Sequence, residues 1–279
     1  VSEPGIIDSL PPLRDVIARH GLSAEKKLGQ NFLLDLNITD KIARAAGDLS
    51  GKNVIEIGPG PGGLTRSLIK TSALHVSAIE FDPRAVAALQ DLVRAASGRL
   101  TVIPGDALAC DLTAVVPTPR VIIANLPYNI ATPLLTGWLA QLWARPDSFD
   151  IMILMFQKEV AERMAAPPGG KDYGRLSVLA QWLCQIDRVF DLPPSAFTPP
   201  PKVTSTVVRL IPRLLPPDSP RMENVAAVTA AAFGQRRKML RSSLKKYPGL
   251  LEKAGIDPAR RAEELTVGDF IHLAKCLAT

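Results

Sequence analysis

The chain has 279 residues, 47% hydrophobic and 22% charged, with a formal net charge of +6. That is enough chain for one large domain plus a small one with a sizeable core, and the balance is that of a soluble globular protein. No apolar run approaches the roughly 20 residues that span a bilayer. Cys110, Cys184 and Cys276 are scattered, with no metal-ligand spacing and few neighbouring His, so no metal site is expected.

Helical patterns cover residues 8–20 and 36–46. A strand at 53–57 runs into a Gly/Pro loop and a helix over 63–70. A second strand, 75–80, ends on Glu80, and Asp82-Pro83 reads as an N-cap with Pro at the first helical position. Strands follow at 100–103, 120–125 and 149–156, separated by helices. After the exposed loop Pro167-Pro168-Gly169-Gly170 comes a helix at 174–183, then two late strands at 186–191 and 203–210, read as a hairpin at one sheet edge. Seven strands, the first five alternating with helices, predict a doubly wound parallel α/β sheet. The four prolines between 212 and 220 read as a linker. Beyond them only helical patterns appear, at 222–234, 236–246, 258–262 and 267–277. The predicted domains are therefore 1–212 and a small all-helical 213–279.

The loop after the first strand, Glu56-Ile57-Gly58-Pro59-Gly60-Pro61-Gly62-Gly63, fits GxGxxG. Glycines there let the backbone turn sharply and approach a ligand. Glu80, at the end of the second strand, is placed to accept both hydroxyl protons of a ribose. These features suit NAD and S-adenosylmethionine alike. Glu56 inside the strand and Asp106 after the third strand favour S-adenosylmethionine: the first can meet a cationic ligand, the second an adenine amino group. Asn125-Leu126-Pro127-Tyr128 closes the fourth strand, at the sheet edge where ligands bind in open α/β folds. Thr132-Pro133 then reads as the start of the next helix. An amide, a rigid proline and an aromatic ring together suit an exocyclic amino group on a planar base. The same residues would also serve as an ordinary strand-to-helix turn.

Residues 1–212 hold 21 Lys+Arg against 20 Asp+Glu, whereas 213–279 hold 12 against 7. Positive charge concentrated in the last quarter suggests a polyanionic partner there. Arg237, Arg241 and Lys245 recur every four residues on the predicted 236–246 helix, and Arg236, Lys238 and Lys246 widen the surface.

In order and content, Glu56-Ile-Gly-Pro-Gly, Glu80, Gly105-Asp106 and Asn125-Leu-Pro-Tyr128 resemble the motifs of class I adenine-N6 methyltransferases. Lys27-Leu-Gly-Gln-Asn-Phe-Leu33, Gln157 to Arg163, Phe197 to Ser205 and Gln235 to Leu244 are similar to segments of the rRNA adenine dimethyltransferase family, most of all its bacterial small-subunit, kasugamycin-resistance branch. The resemblance covers about 25–277. It implies a Rossmann-like S-adenosylmethionine-binding domain at 1–212 and an rRNA-binding helical domain at 213–279. The activity implied is dimethylation of N6 on two adjacent adenosines near the 3′ end of 16S rRNA, in the small ribosomal subunit or its precursor, by a cytoplasmic monomer.

By matched position the resemblance assigns cofactor contacts to Gln30, Asn31, Leu33, Gly58, Gly60, Glu80, Asp106 and Asn125. Asn125 and a backbone carbonyl near Leu126 or Pro127 would hold the target amine. Tyr128 would stack on a flipped base, with Phe197 on its other face. Lys202, Arg236, Arg237, Lys238, Arg241 and Lys245 would meet RNA phosphates. Three other readings compete: a 23S rRNA adenine methyltransferase of the antibiotic-resistance type, a non-catalytic rRNA-binding assembly factor, and an NAD-dependent oxidoreductase.

Overall fold

The computed structural model describes residues 4–22, 31–235 and 237–278. In chain order the strands are β1 (Phe32–Leu33), β2 (Asn53–Ile57), β3 (His75–Glu80), β4 (Leu100–Pro104), β5 (Arg120–Ala124), β6 (Ile151–Gln157), β7 (Cys184–Leu192), β8 (Phe197–Thr198) and β9 (Ser205–Pro212). Seven of them form one sheet in the order β4-β3-β2-β5-β6-β9-β7. The pairs β2/β3, β3/β4, β2/β5 and β5/β6 are parallel, and β6/β9 is antiparallel.

Every residue of β2 and β5 is buried. A parallel sheet covered on both faces needs apolar side chains on both faces, which is why Val54-Ile55 and Val121-Ile122-Ile123 are continuous rather than alternating. From β2 the chain steps outward to β3 and β4, then returns to β5 on the other side of β2. The carboxyl ends of β2 and β5 therefore flank the point where strand order reverses, the crevice that such sheets offer to ligands.

β1 and β8 pair apart from the main sheet, antiparallel, with Phe32 opposite Thr198 and Leu33 opposite Phe197. No periodicity announced this ladder. It joins the Asn31-Phe32-Leu33 segment to the Phe197 segment across more than half of the chain.

Several helix boundaries differ from expectation. The 8–20 pattern shortens to Leu13–Arg19 after Pro11-Pro12, and a separate short helix, not expected, spans Pro4–Asp8. The helix after β5 begins at Tyr128 and runs to Ala144 with Pro133 inside it. Thr132-Pro133 is thus not the helix start. Pro127 stands just before the helix, its carbonyl accepting the Ile130 N–H at 3.1 Å.

The 236–246 pattern yields only one helical turn, Leu240–Ser243. The Leu240 N–H donates to the Arg260 carbonyl at 2.8 Å and the Arg241 N–H to the Pro258 carbonyl at 3.0 Å. These amides are therefore unavailable to a helix that started earlier, and tertiary bonds override local propensity. Among the described residues a short helix at Leu250–Lys253 and a 3₁₀ turn at Ala262–Glu264 complete this stretch before the helix Val267–Ala278.

By compactness the chain divides into two units. The first is Val1–Trp138, Asp147–Lys158 and Arg188–Ile211; its core joins Val54, Leu68, Val76, Val121, Ile123, Ile153 and Val207. The second is Leu139–Pro146, Glu159–Asp187 and Pro212–Thr279, so it takes in more than the residues after the Pro-rich 212–220 stretch. Aromatic packing explains the addition: the Tyr173 ring meets Phe233 edge-on at 5.9 Å, and Phe233 stacks on Phe270 at 5.3 Å. The Trp143 indole N–H donates to the Pro220 carbonyl at 3.1 Å, tying in the end of the Tyr128–Ala144 helix.

Candidate active site

A cleft of about 240 Å³ opens at the β2/β5 switch point. Its lining includes Asn31, Leu33, Gly58, Gly60, Glu80, Asp106 and Asn125-Leu126-Pro127-Tyr128. Residues separated by up to 97 positions in the sequence thus share one wall. Gln30 and Arg236 lie outside the described residues. Phe197 does not line the cleft: it is buried to 3% exposure, pairs with Leu33 and belongs to the apolar core. Lys202 is exposed and likewise absent from the cleft wall.

The floor of the cleft is backbone. Gly60 has φ +55°, a conformation that L side chains rarely adopt, and a Cβ there would stand 2.9 Å from the Phe32 ring. Gly63 opens the following helix, and its Cβ would stand 2.5 Å from the Leu33 carbonyl oxygen. The loop therefore needs glycine for shape at one position and for close approach at the other. The helix N-terminus it leads into directs free amides and a partial positive charge towards the strand ends.

Two carboxylates sit behind this floor. Glu80 is 5% exposed; its Oε2 accepts the Gly60 N–H at 3.0 Å and its Oε1 the Asp82 N–H at 2.8 Å. Burial pushes its pKa up, opposed by those two amides. Glu80 therefore fixes the glycine loop to the end of β3. Glu56 is 2% exposed, and its Oε2 has no hydrogen-bond partner. Burial pushes its pKa up to about 8, with the Glu80 charge adding to the rise. The Thr65 hydroxyl nearby opposes that rise, yet it too lacks a well-formed bond.

On the far wall, Asp106 Oδ1 accepts the Leu108 N–H at 2.9 Å, a tight turn after β4. Asn125 Nδ2 donates to the Asn31 carbonyl at 3.1 Å. That bond sets the amide's orientation and leaves Oδ1 without a protein donor among the described residues. The Tyr128 hydroxyl lies 2.5 Å from Ser205 Oγ. Burial raises its pKa, so the phenol stays protonated near neutrality.

Two apolar residues that motif reasoning passed over also line the cleft: Phe81, 66% exposed, and Leu108, 50% exposed. Phe81 directly follows the acidic end of β3, which was the available signal; Leu108 stands two residues after Asp106 in the turn beyond β4. Exposed apolar surface beside an acid fits a flat heterocycle with a hydroxylated sugar.

The basic stretch belongs to the second unit. Arg237, Lys238, Arg241, Lys245 and Lys246 are exposed, while Leu240 and Leu244 are buried. Arg241 alone of the expected triplet lies within a helix, so the cations stand on turns around one helical turn rather than along one helix face.

The ribosomal RNA adenine dimethylase profile matches residues 21–279. Ribosomal RNA small subunit methyltransferase A from Rhodospirillum rubrum is 57% identical over 273 residues, covering 97% of this chain and 93% of that protein. The protein of the same name from Agrobacterium fabrum is 57% identical, covering 97% and 99%. Among solved structures, a dimethyladenosine transferase from Plasmodium falciparum superposes with a TM-score of 0.72 at 30% identity, covering 86% of this chain and 94% of that one. The 23S rRNA methyltransferase ErmE gives 0.64 at 25% identity, covering 89% and 100%.

Proposed function

The chain belongs to the ribosomal RNA adenine dimethylase family, and we propose that it transfers methyl groups from S-adenosylmethionine to N6 of two adjacent adenosines near the 3′ end of 16S rRNA. It is an rRNA adenine-N6 dimethyltransferase of the α/β class, and its substrate puts its work in the cytoplasm, where small subunits are assembled. The observation that carries the residue assignments is the meeting of Asn125-Leu126-Pro127-Tyr128 with Glu80 and Asp106 around one cleft. Identity of 57% to small-subunit enzymes, against 25% to the 23S enzyme, supports the 16S reading.

The residues present fit the cofactor. Gly58 and Gly60 make a cradle that side chains would fill, Glu80 suits a ribose, and Phe81 and Leu108 suit the faces of an adenine. The unpartnered Glu56 Oε2 suits a cationic group. S-adenosylmethionine, when bound, supplies a methyl group already activated on a sulfonium. The protein then has to orient the acceptor and exclude water.

Adenine N6 is a poor nucleophile because its lone pair is delocalised into the ring. Asn125 Oδ1, held outward by the Nδ2 bond to Asn31, accepts one N6–H. The Pro127 carbonyl already takes the Ile130 N–H, so the Leu126 carbonyl is the better second acceptor. Two acceptors on N6 favour a pyramidal nitrogen and stabilise the positive charge that develops on it. Tyr128 offers its ring for stacking, worth roughly 1–3 kcal/mol against the cost of flipping the base out. Its hydroxyl is occupied by Ser205 and is not a base; the methylated amine is acidic enough to lose its proton to water. Phe197, buried as it is, takes part in stacking only if the Phe197–Thr198 segment shifts on RNA binding. Lys202, Arg237, Lys238, Arg241 and Lys245 hold RNA phosphates without reading sequence.

The test is subunit labelling. Under-methylated small and large ribosomal subunits are incubated separately with the protein and methyl-labelled S-adenosylmethionine. Label in 16S rRNA as N6,N6-dimethyladenosine is expected; label confined to 23S rRNA overturns the assignment.

A further inference from the structure

The Tyr128 hydroxyl has a partner that the reaction as described does not use. Ser205 opens β9 and is fully buried, and its Oγ pairs with the Tyr128 hydroxyl at 2.5 Å. Its backbone position is fixed twice over. Ser205 lies opposite Gln157 in the β6/β9 ladder, and the neighbouring Thr204 carbonyl accepts the Lys158 N–H at 2.9 Å. Tyr128 itself starts the helix after β5, two strands away across β6. An aromatic ring held at its Cα by the helix start and at its hydroxyl by a buried point is restrained both in χ1 and in tilt.

We propose that Ser205 is a positioning residue for methyl transfer: its hydroxyl locks the Tyr128 ring at one tilt beside Asn125, so that the flipped base meets a preset face. The inference rests on the reading of Tyr128 as the stacking platform. Stacking alone needs only the ring, which Phe would supply. What the anchor adds is angular precision, because the base plane sets where N6 stands relative to Asn125 Oδ1 and the methyl donor. A misplacement of about 1 Å is enough to lower a transfer rate by up to about a hundredfold. The buried Ser205 hydroxyl also explains why the platform is Tyr: with Phe at 128, Oγ would be left unsatisfied.

The experiment compares the wild type with Tyr128→Phe, Ser205→Ala, Ser205→Thr, the Tyr128→Phe/Ser205→Ala double variant and Tyr128→Ala. Single-turnover methylation of under-methylated small subunits is measured with saturating S-adenosylmethionine, and cofactor affinity is measured separately. Tyr128→Phe and Ser205→Ala are each expected to lower the transfer rate by about tenfold with cofactor affinity unchanged. The double variant should be no slower than either single one, because both delete the same bond. Ser205→Thr should recover most of the rate.

A second readout is independent of turnover. The chain has three tyrosines, so 3-fluorotyrosine labelling gives three ¹⁹F signals, and Tyr128→Phe identifies the one from position 128. Ser205→Ala should shift and average that signal and leave the other two in place. Additive losses in the double variant, a wild-type rate in Ser205→Ala, or an unmoved Tyr128 signal would overturn the proposal. Tyr128→Ala separates it from the stacking reading: if that variant keeps its rate, the platform reading fails. If it collapses while Ser205→Ala is unaffected, only the anchor fails.

Discussion

The cleft and the 237–246 segment hold opposite charge by opposite means. Glu80 is almost withdrawn from water and is committed to two backbone amides. Arg237, Lys238, Arg241, Lys245 and Lys246 are exposed, while the buried Leu240 and Leu244 and the backbone bonds to Pro258 and Arg260 fix the segment to its unit. A buried carboxylate acts in a medium of low effective dielectric, where salt scarcely screens it. Exposed cations act on a polyanion by releasing its counterions and are strongly screened. A small cofactor and a large RNA are thus handled by two kinds of electrostatics, and ionic strength separates them. Raising salt should leave S-adenosylmethionine affinity nearly flat while RNA affinity falls steeply.

The sharpest way to break the comparison is at the cleft. Asn125→Ala removes the free amide oxygen and the bond to Asn31; the methylation rate is expected to fall by about 10²–10³-fold while small-subunit binding persists. Loss of both together would mean that the cleft also carries RNA affinity. Next comes the other side. Neutralising Arg237, Arg241 and Lys245 together should flatten the log–log salt dependence of RNA binding by about 2, at roughly 0.7 per phosphate contact, with cofactor affinity unchanged.

A smaller effect sharpens the role of the backbone floor. Gly63→Ala places a methyl group against the Leu33 carbonyl oxygen, and destabilisation of about 1–3 kcal/mol is expected by denaturant titration. The last test concerns Glu56. Its folded pKa of about 8 exceeds the ordinary 4.5, so between those values the folded state keeps a proton that the unfolded chain has lost. Its stabilising contribution is complete below pH 4.5 and is lost as pH rises to 8, by at most about 1.4 kcal/mol per unit. Glu56→Gln should flatten stability across that window. An unchanged slope would show that Glu56 is charged in the folded protein.

What could be read from sequence follows from where backbone geometry is already determined. Gly58, Glu80, Asp106 and Asn125 all stand at or just beyond the carboxyl ends of parallel strands, and a parallel sheet brings those ends together whatever the connecting helices do. Apolar runs such as Val121-Ile122-Ile123 reveal the strands. Nothing comparable governs the β1/β8 ladder, whose two residues per strand are too few for a period. Phe197 was expected at the base and lies in the core because that ladder sets it opposite Leu33. The 236–246 helix failed for a similar reason: amides that its periodicity assigned to local bonds go instead to Pro258 and Arg260. Ser205 was visible as part of a motif but not as the partner of Tyr128, a pairing made only by strands adjacent in space.

The β1/β8 ladder has a further consequence. Asn31, Phe32 and Leu33 form part of the cleft wall, yet the ladder beside them has two residue pairs, backed by the Asn125 bond to Asn31. A latch that short gives way well before a seven-stranded sheet does. Opening of this wall would admit a ligand with no movement of the Glu80–Gly60 floor. Amide exchange at Phe32, Leu33 and Phe197 should then run far ahead of exchange at Val54 and Ile122. Bound S-adenosylmethionine, by spanning floor and wall, should close that gap.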